Sequence, residues 1–397
     1  MASFPLTRTL LDVRPSQRFQ RPVWATFWAT VSAAVLGAVL ALGATACRTA
    51  TVRGTADGED LATERFEFER AAMGTTFRIV LYAEDGERAR RAAEAAFDRI
   101  QELDRTLSDW QPDSELSRLC AQSDAGPSGP IPVSEDLFAV LAHAARTARQ
   151  TGGAFDVSVG PWVRLWRRSV RQGELPTPEA LAAARKSVGY EWVVLDPDSR
   201  TVTLALPRMR LDLGGIAKGF ALDQALAVLA ERGVPRALVD GGGDVAVGAP
   251  PPGRRAWRVA VATTRHELER AKTYFDLVHA AVATSGDLFQ SVEIGGRRYS
   301  HIIDPVTGLG LTRRVSATVV ARTGIQADAL ASALCVLGSQ RGLALVEATA
   351  GVEARVIEEE KEAAGACDSS GLDRMMGRRS AAPPRRRWPD PPSWWNP

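Results

Sequence analysis

Residues 211–244 read LDLGGIAKGFALDQALAVLAERGVPRALVDGGGD, and the rest of the chain is interpreted around them. The stretch opens as a short apolar strand that ends in an acid, Asp212, and runs into the pair Gly214-Gly215. Lys218 then opens a helix of amphipathic pattern, and a second strand ends in glycines 241–243. Glycines placed where strands meet a helix let backbone approach a ligand without side-chain obstruction. A helix N-terminus adds unpaired N–H groups and a positive dipole end, which suit an anion such as phosphate. A βαβ-like unit whose glycines only turn the chain would have the same pattern. The neighbouring segments must separate the two.

Working outward, the bulk numbers describe a globular protein: 397 residues, 45% hydrophobic and 24% charged. The formal net charge of +2 comes from the ends. Without residues 1–46 and 368–397, 39 basic and 43 acidic side chains remain, a net of −4. A mildly acidic body without a basic stripe argues against nucleic acid as partner. The four cysteines, Cys47, Cys120, Cys335 and Cys367, have neither CxxC nor other metal-type spacing.

The N-terminus reads as an address. Four arginines between Arg8 and Arg21 precede an uncharged apolar run over residues 22–46, which ends Ala44-Thr45-Ala46-Cys47. That pattern describes an export signal over residues 1–46. Small residues ahead of a cysteine resemble a bacterial lipoprotein cleavage site, with Cys47 as the lipid-bearing first residue. An uncleaved anchor is the alternative, since about 20 apolar residues span a bilayer. Both readings place the remainder outside the cytoplasm, tethered to a membrane. Residues 47–65 are polar and read as a tether.

The globular body is expected over residues 66–360. A β-branched strand over 75–82 is followed by a helix that puts Ala89, Ala93, Ala96, Phe97, Ile100 and Leu103 on one face. Ser134 and Thr177 precede two further helices, the second with Pro178 at its first position. Residues 154–166 read as a strand broken at Gly160-Pro161, and residues 191–206 as a hairpin. Strands are expected near 257–262, 274–283, 299–304, 315–321 and 352–357, with an apolar helix over 327–338. Strands and helices interleave without regular β–α alternation, so the class is α+β: mixed or antiparallel sheets with flanking helices, one globular body of two α+β subdomains. Residues 361–397 change composition and become Pro-, Arg- and Trp-rich, which predicts a disordered tail.

Of the four histidines, His143 and His279 lie in apolar patterns and His266 in a charged stretch. His301 stands in YSHIIDP, where a strand running into Asp304-Pro305 leaves polar groups at a rim within reach of a ligand. Asp328 and Ser332 are four residues apart on one helix, hence on one face. A carboxylate with a hydroxyl suits Mg2+, a hard cation that takes few protein oxygens, although Asp328 could simply cap the helix. GxxxxGK[ST], GxGxxG, GxSxG and HExxH are all absent.

Taken together, the segments resemble one family. Ala72-Met73-Gly74-Thr75, Leu107-Ser108-Asp109-Trp110 with Ser114-Glu115-Leu116, and GGAFDV at 152–157 come first. LDLGGIAKGFALD, GGGD, Thr284-Ser285-Gly286-Asp287, SHIIDPVTG and Ala327-Asp328-Ala329-Leu330 follow in the same order. The chain resembles the ApbE family of FAD:protein FMN transferases, also described as flavin transferase lipoproteins, over about residues 66–358. The resemblance implies an ApbE-like fold and an enzyme that splits FAD, its substrate, at the pyrophosphate. FMN would pass to a threonine or serine hydroxyl of an exported acceptor protein, with AMP released. It implies that Met73, Trp110, Ala154, Phe155, Asp156, Asp212, Lys218 and Ile302 line the FAD site. Asp328, Ser332 and the carbonyl of Gly215 would hold Mg2+, and His301 would take the proton of the acceptor hydroxyl. Ser332 stands where the family commonly has threonine, and Trp110 where it often has tyrosine. An FAD pyrophosphatase that admits water, or a non-catalytic FAD-binding lipoprotein, would share much of this sequence.

Overall fold

The computed structural model describes residues 63–261, 273–286, 291–360 and 363–376. The expected leader, Cys47, His266, Asp287 and the segment 377–397 lie outside them. All described residues belong to one compact unit, Ala46–Pro397; the other, Met1–Thr45, contains none of them.

Strand β1 (Glu64–Ala72) begins just ahead of the expected start of the body and pairs antiparallel with β2 (Thr75–Ala83). Helix α1 (Gly86–Leu107) follows, with Asp85 as N-cap accepting the Arg88 N–H. All six apolar residues expected on its inner face are buried. A short helix α2 (Glu115–Ala121), capped by Ser114, was not apparent in the sequence. Next come β3 (Ile131–Pro132), α3 (Glu135–Gln150), α4 (Gly160–Gln172), α5 (Pro178–Arg185), β4 (Val193–Asp196) and β5 (Thr201–Leu204). Helix α6 (Ala217–Glu231) leads into the hairpin β6 (Ala237–Gly241) and β7 (Asp244–Val247). After β8 (Trp257–Val261), β9 (Thr273–Leu277) and β10 (Ala280–Gly286), the hairpin β11 (Ser291–Ile294) and β12 (Arg297–Ser300) precedes β13 (Arg314–Ala321). Helix α7 (Gly324–Glu347), β14 (Glu353–Glu360), β15 (Ala363–Asp368) and α8 (Leu372–Met375) close the described chain.

The main sheet has eight strands in the order β1-β2-β6-β7-β10-β13-β14-β15, every neighbouring pair antiparallel. Successive strand residues point to opposite faces, and here both faces are buried. Ile79, Ala281, Ala283 and Val319 join the large core with α1, α6 and α7. Their neighbours Val80, Val282 and Val320 join a second core with β8, β9 and α8. A third cluster sets Trp162 and Trp166 of α4 against Ile294 and Tyr299 of the β11–β12 hairpin.

Several expectations need correction. Residues 211–213 form no ladder strand: Asp212 donates its N–H to the Val157 carbonyl at 2.7 Å, so no βαβ unit exists. Gly160-Pro161 does not break a strand but starts α4, because proline suits a helix's first turn and Trp162 and Trp166 bury one turn apart. The strand expected at 274–283 divides at His279, whose φ of 46° interrupts extended backbone. Residues 363–376, expected within a disordered tail, are instead part of the fold: β15 pairs with β14 over Arg355↔Asp368 to Glu360↔Ala363. Its Ala- and Gly-rich sequence conceals a strand held mainly by backbone bonds. Also, β12 ends at Ser300, just before His301, and α7 continues through a kink at Gly338 (φ 78°).

Candidate active site

The site is built where α6 crosses α7. A Cβ on Gly219 would come within 2.1 Å of the Gly324 carbonyl oxygen, and one on Gly324 within 2.4 Å of the Gly219 oxygen. Each helix also caps the other. Asp223 of α6 accepts the N–H groups of Gly324 and Ile325 at 2.6 and 2.9 Å, while Asp328 Oδ2 of α7 accepts the Gly219 N–H at 3.0 Å. Asp328 therefore does not cap its own helix; it is 2% exposed and serves the neighbouring one.

This crossing brings the expected metal-binding trio together. Asp328 and Ser332 share one face of α7, and a Cβ on Gly215 would lie 2.9 Å from Ser332 Oγ. Ser332 Oγ also lies 3.1 Å from Ser285 Oγ of β10. Among the described residues no three His, Cys, Asp or Glu side chains gather into a metal cluster. One carboxylate, one hydroxyl and a backbone carbonyl at a glycine-lined approach still fit Mg2+, which keeps water and phosphate oxygens as its remaining ligands. Phe155 lies beside the trio, its ring 3.4 Å from the same Cβ position on Gly215.

Lys218, on the first turn of α6, bonds Asp244 and lies 3.7 Å from Asp328 Oδ2. Burial opposes the ammonium charge, but the two carboxylates outweigh it and raise the lysine's pKa. Burial and the Asp244 charge push Asp328 up to about 6, although Lys218 works in the opposite direction.

At a second centre, Arg167 of α4 donates to Asp109 at 2.6 Å and to Asp212 at 3.2 Å, and its guanidinium carbon stands 3.8 Å over the Trp110 ring. One arginine thus ties the loop after α1 to the start of the 211–244 stretch. Burial raises the Asp212 carboxyl, and Asp109 adds to the shift. Trp110 remains 69% exposed, so its ring is available for stacking. An adjoining cleft is walled by Trp110, Ser117, Arg164 and Arg210, and none of the metal trio lines it. Asp156 turns back to accept the Ser158 N–H at 2.7 Å, and Ala154 is buried beside Phe155. Met73 holds a left-handed φ of 50° at the β1–β2 turn and donates its N–H to Asp104 at 3.1 Å. Such strain in a non-glycine residue is frequent at binding sites. His301 is exposed directly after β12, and Ile302, half-buried, donates its N–H to Ser300 Oγ at 3.1 Å.

Residues 73–356 match the model of a family described as the ApbE family. The chain belongs to the ApbE family. A Vibrio cholerae protein named FAD:protein FMN transferase is 33% identical over 289 residues, 72% of this chain and 85% of that one. One of the same name from Haemophilus influenzae is 34% identical over 69% of this chain and 81% of its own length. Among solved structures, the flavin transferase ApbE from Vibrio cholerae superposes with a TM-score of 0.71 at 30% identity, covering 79% of this chain and 99% of that one. The ApbE protein from Thermotoga maritima gives 0.69 at 29% identity, over 79% and 99%. The mixed helices and antiparallel sheets are therefore those of ApbE flavin transferases. Asp244, Asp223, Asp109 and Arg167 contact the candidate site residues or their helices and were not singled out from the sequence. Asp109, Asp223 and Asp244 lay within quoted ApbE motifs, whereas nothing around Arg167 marked it.

Proposed function

We propose that the chain is an Mg2+-dependent FAD:protein FMN transferase, acting on a threonine or serine of an exported acceptor protein. The observation that carries this reading is the glycine crossing of α6 and α7, which gathers Gly215, Asp328 and Ser332 beside Lys218. In the proposed reaction the acceptor hydroxyl oxygen forms a bond to the FMN phosphorus. The pyrophosphate P–O bond to the AMP half breaks, and the hydroxyl proton passes to His301. Lys218 places an ammonium charge beside the metal residues, where phosphate oxygens would collect negative charge. Bound at Gly215, Asp328 and Ser332, Mg2+ would neutralise that charge further. Trp110, backed by Arg167, offers a ring face to the flavin or adenine.

Incubation with FAD, Mg2+ and an acceptor domain should add the mass of FMN to the acceptor and release AMP. Free FMN with AMP and no covalent flavin would replace this reading with FAD hydrolysis; no turnover would leave a binding protein. Asp328→Ala should abolish Mg2+-dependent turnover, and unchanged activity would remove the metal assignment. We also propose that the body is exported and held at a membrane through a lipid on Cys47. Cys47→Ala should release it into the soluble fraction, whereas continued membrane association would favour an uncleaved N-terminal anchor.

A further inference from the structure

Asp244 is an acid that the proposed chemistry does not use, yet it is 4% exposed and bonds Lys218, the lysine beside Asp328. It is the last residue of GGGD and the first of β7, paired with Gly241 across the hairpin turn. Both of its oxygens are committed. Oδ1 accepts the Thr284 N–H at 3.1 Å, and Oδ2 accepts from Lys218 Nζ. The same Nζ lies 3.7 Å from Asp328 Oδ2, so one ammonium stands between two buried carboxylates, in closer contact with Asp244.

That asymmetry matters for a cation site. A lysine and a divalent cation placed beside one carboxylate repel each other, and the repulsion is weakly screened when the groups are buried. With Asp244 missing, Asp328 would be the nearest counter-charge left to Lys218, and the flexible four-carbon stem could close the gap. Thr284 fixes Asp244 from the sheet side, so the acid is anchored independently of the lysine it holds. We propose that Asp244 is a positioning residue that holds the Lys218 ammonium away from Asp328, keeping the Asp328 carboxylate available to a divalent cation. This rests on the Mg2+ reading above.

The test is calorimetric titration of the full chain with Mg2+ alone, without FAD, so that turnover plays no part. Asp244→Asn should weaken Mg2+ binding by about tenfold or more, the range found when partners of metal ligands are removed. Asp244→Asn combined with Lys218→Met should restore affinity to the wild-type level or better, because the competing ammonium is then absent. A merely structural role, or direct ligation by Asp244, would leave the double variant as weak as the single one and overturn the proposal. Unchanged affinity in Asp244→Asn would overturn it as well. If Asp244→Asn alone does not fold, Asp244→Ser takes its place in the same comparison, with and without Lys218→Met, and the same outcomes decide. Absence of Mg2+ binding in the wild type would instead overturn the metal assignment, and this inference with it.

Discussion

His301 is the residue whose proposed role depends most on where its strand ends. Because β12 stops at Ser300, the imidazole is displayed beyond the ladder rather than within it. Replacement by alanine should leave FAD affinity within about threefold of wild type, as expected for a group that acts on the acceptor's proton. Transfer should slow by roughly 10²- to 10⁴-fold, the usual contribution of a general base. Equilibrium fluorescence titration with FAD and single-turnover transfer separate the two effects, and a defect confined to binding would remove His301 from proton transfer. At this scale, legibility followed sequence distance. Asp328 and Ser332 could be paired on paper because helical spacing puts i and i+4 on one face. Arg167 could not, because its partners Asp109 and Asp212 lie 58 and 45 residues away, on segments that only the fold brings together.

The element that organises the site is the crossing of α6 and α7, and it makes two predictions. Gly219→Ala places a methyl against the Gly324 backbone rather than against a flexible side chain, so the helices must separate. Overpacking of this kind costs about 1–3 kcal/mol, and a lower melting temperature is expected with the substitution. An unchanged melt would mean that the crossing tolerates a wider spacing. Asp223 supplies the second prediction. Burial raises its carboxyl to about 6, although the N–H groups of Ile325 and Gly324 pull it down. With the folded value above the unfolded one, its stabilising contribution is fully present below about pH 4 and is lost as pH rises through about 6. Asp223→Asn should flatten the fall in melting temperature between pH 4 and 6.5, by no more than about 3 kcal/mol across the window. Asp328, Asp212 and Asp156, raised by burial in the same sense, contribute to the remaining slope. A variant with the wild-type slope would refute the Asp223 assignment. Periodicity revealed α1 and α3 because each buries one stripe. The helix character of α4 was hidden by Gly160-Pro161, which can break one element or begin another.

For the whole molecule, the described chain beyond residue 360 is part of the fold rather than an appendage to it. Strand β15 covers the β14 edge, and Glu353 accepts the Gly371 N–H at 3.1 Å, fixing the turn into α8. Leu372 then enters the second core fully buried, beside Phe275 and Leu277. Composition could not reveal this, since Ala, Gly, Ser and Asp carry little strand or core signal and the decisive contact is one leucine. A chain ending at Glu362 should expose a long unpaired strand, the usual template for edge-to-edge association. It should melt at a lower temperature and run as larger species in size-exclusion chromatography. Leu372→Ala tests the core contact without opening the edge: the loss should be about 2–5 kcal/mol, as for other buried leucines, with the chain's oligomeric state unchanged. If the truncated chain instead melts like the intact one, β15 and α8 contribute nothing to stability and the body ends at β14, as the sequence suggested.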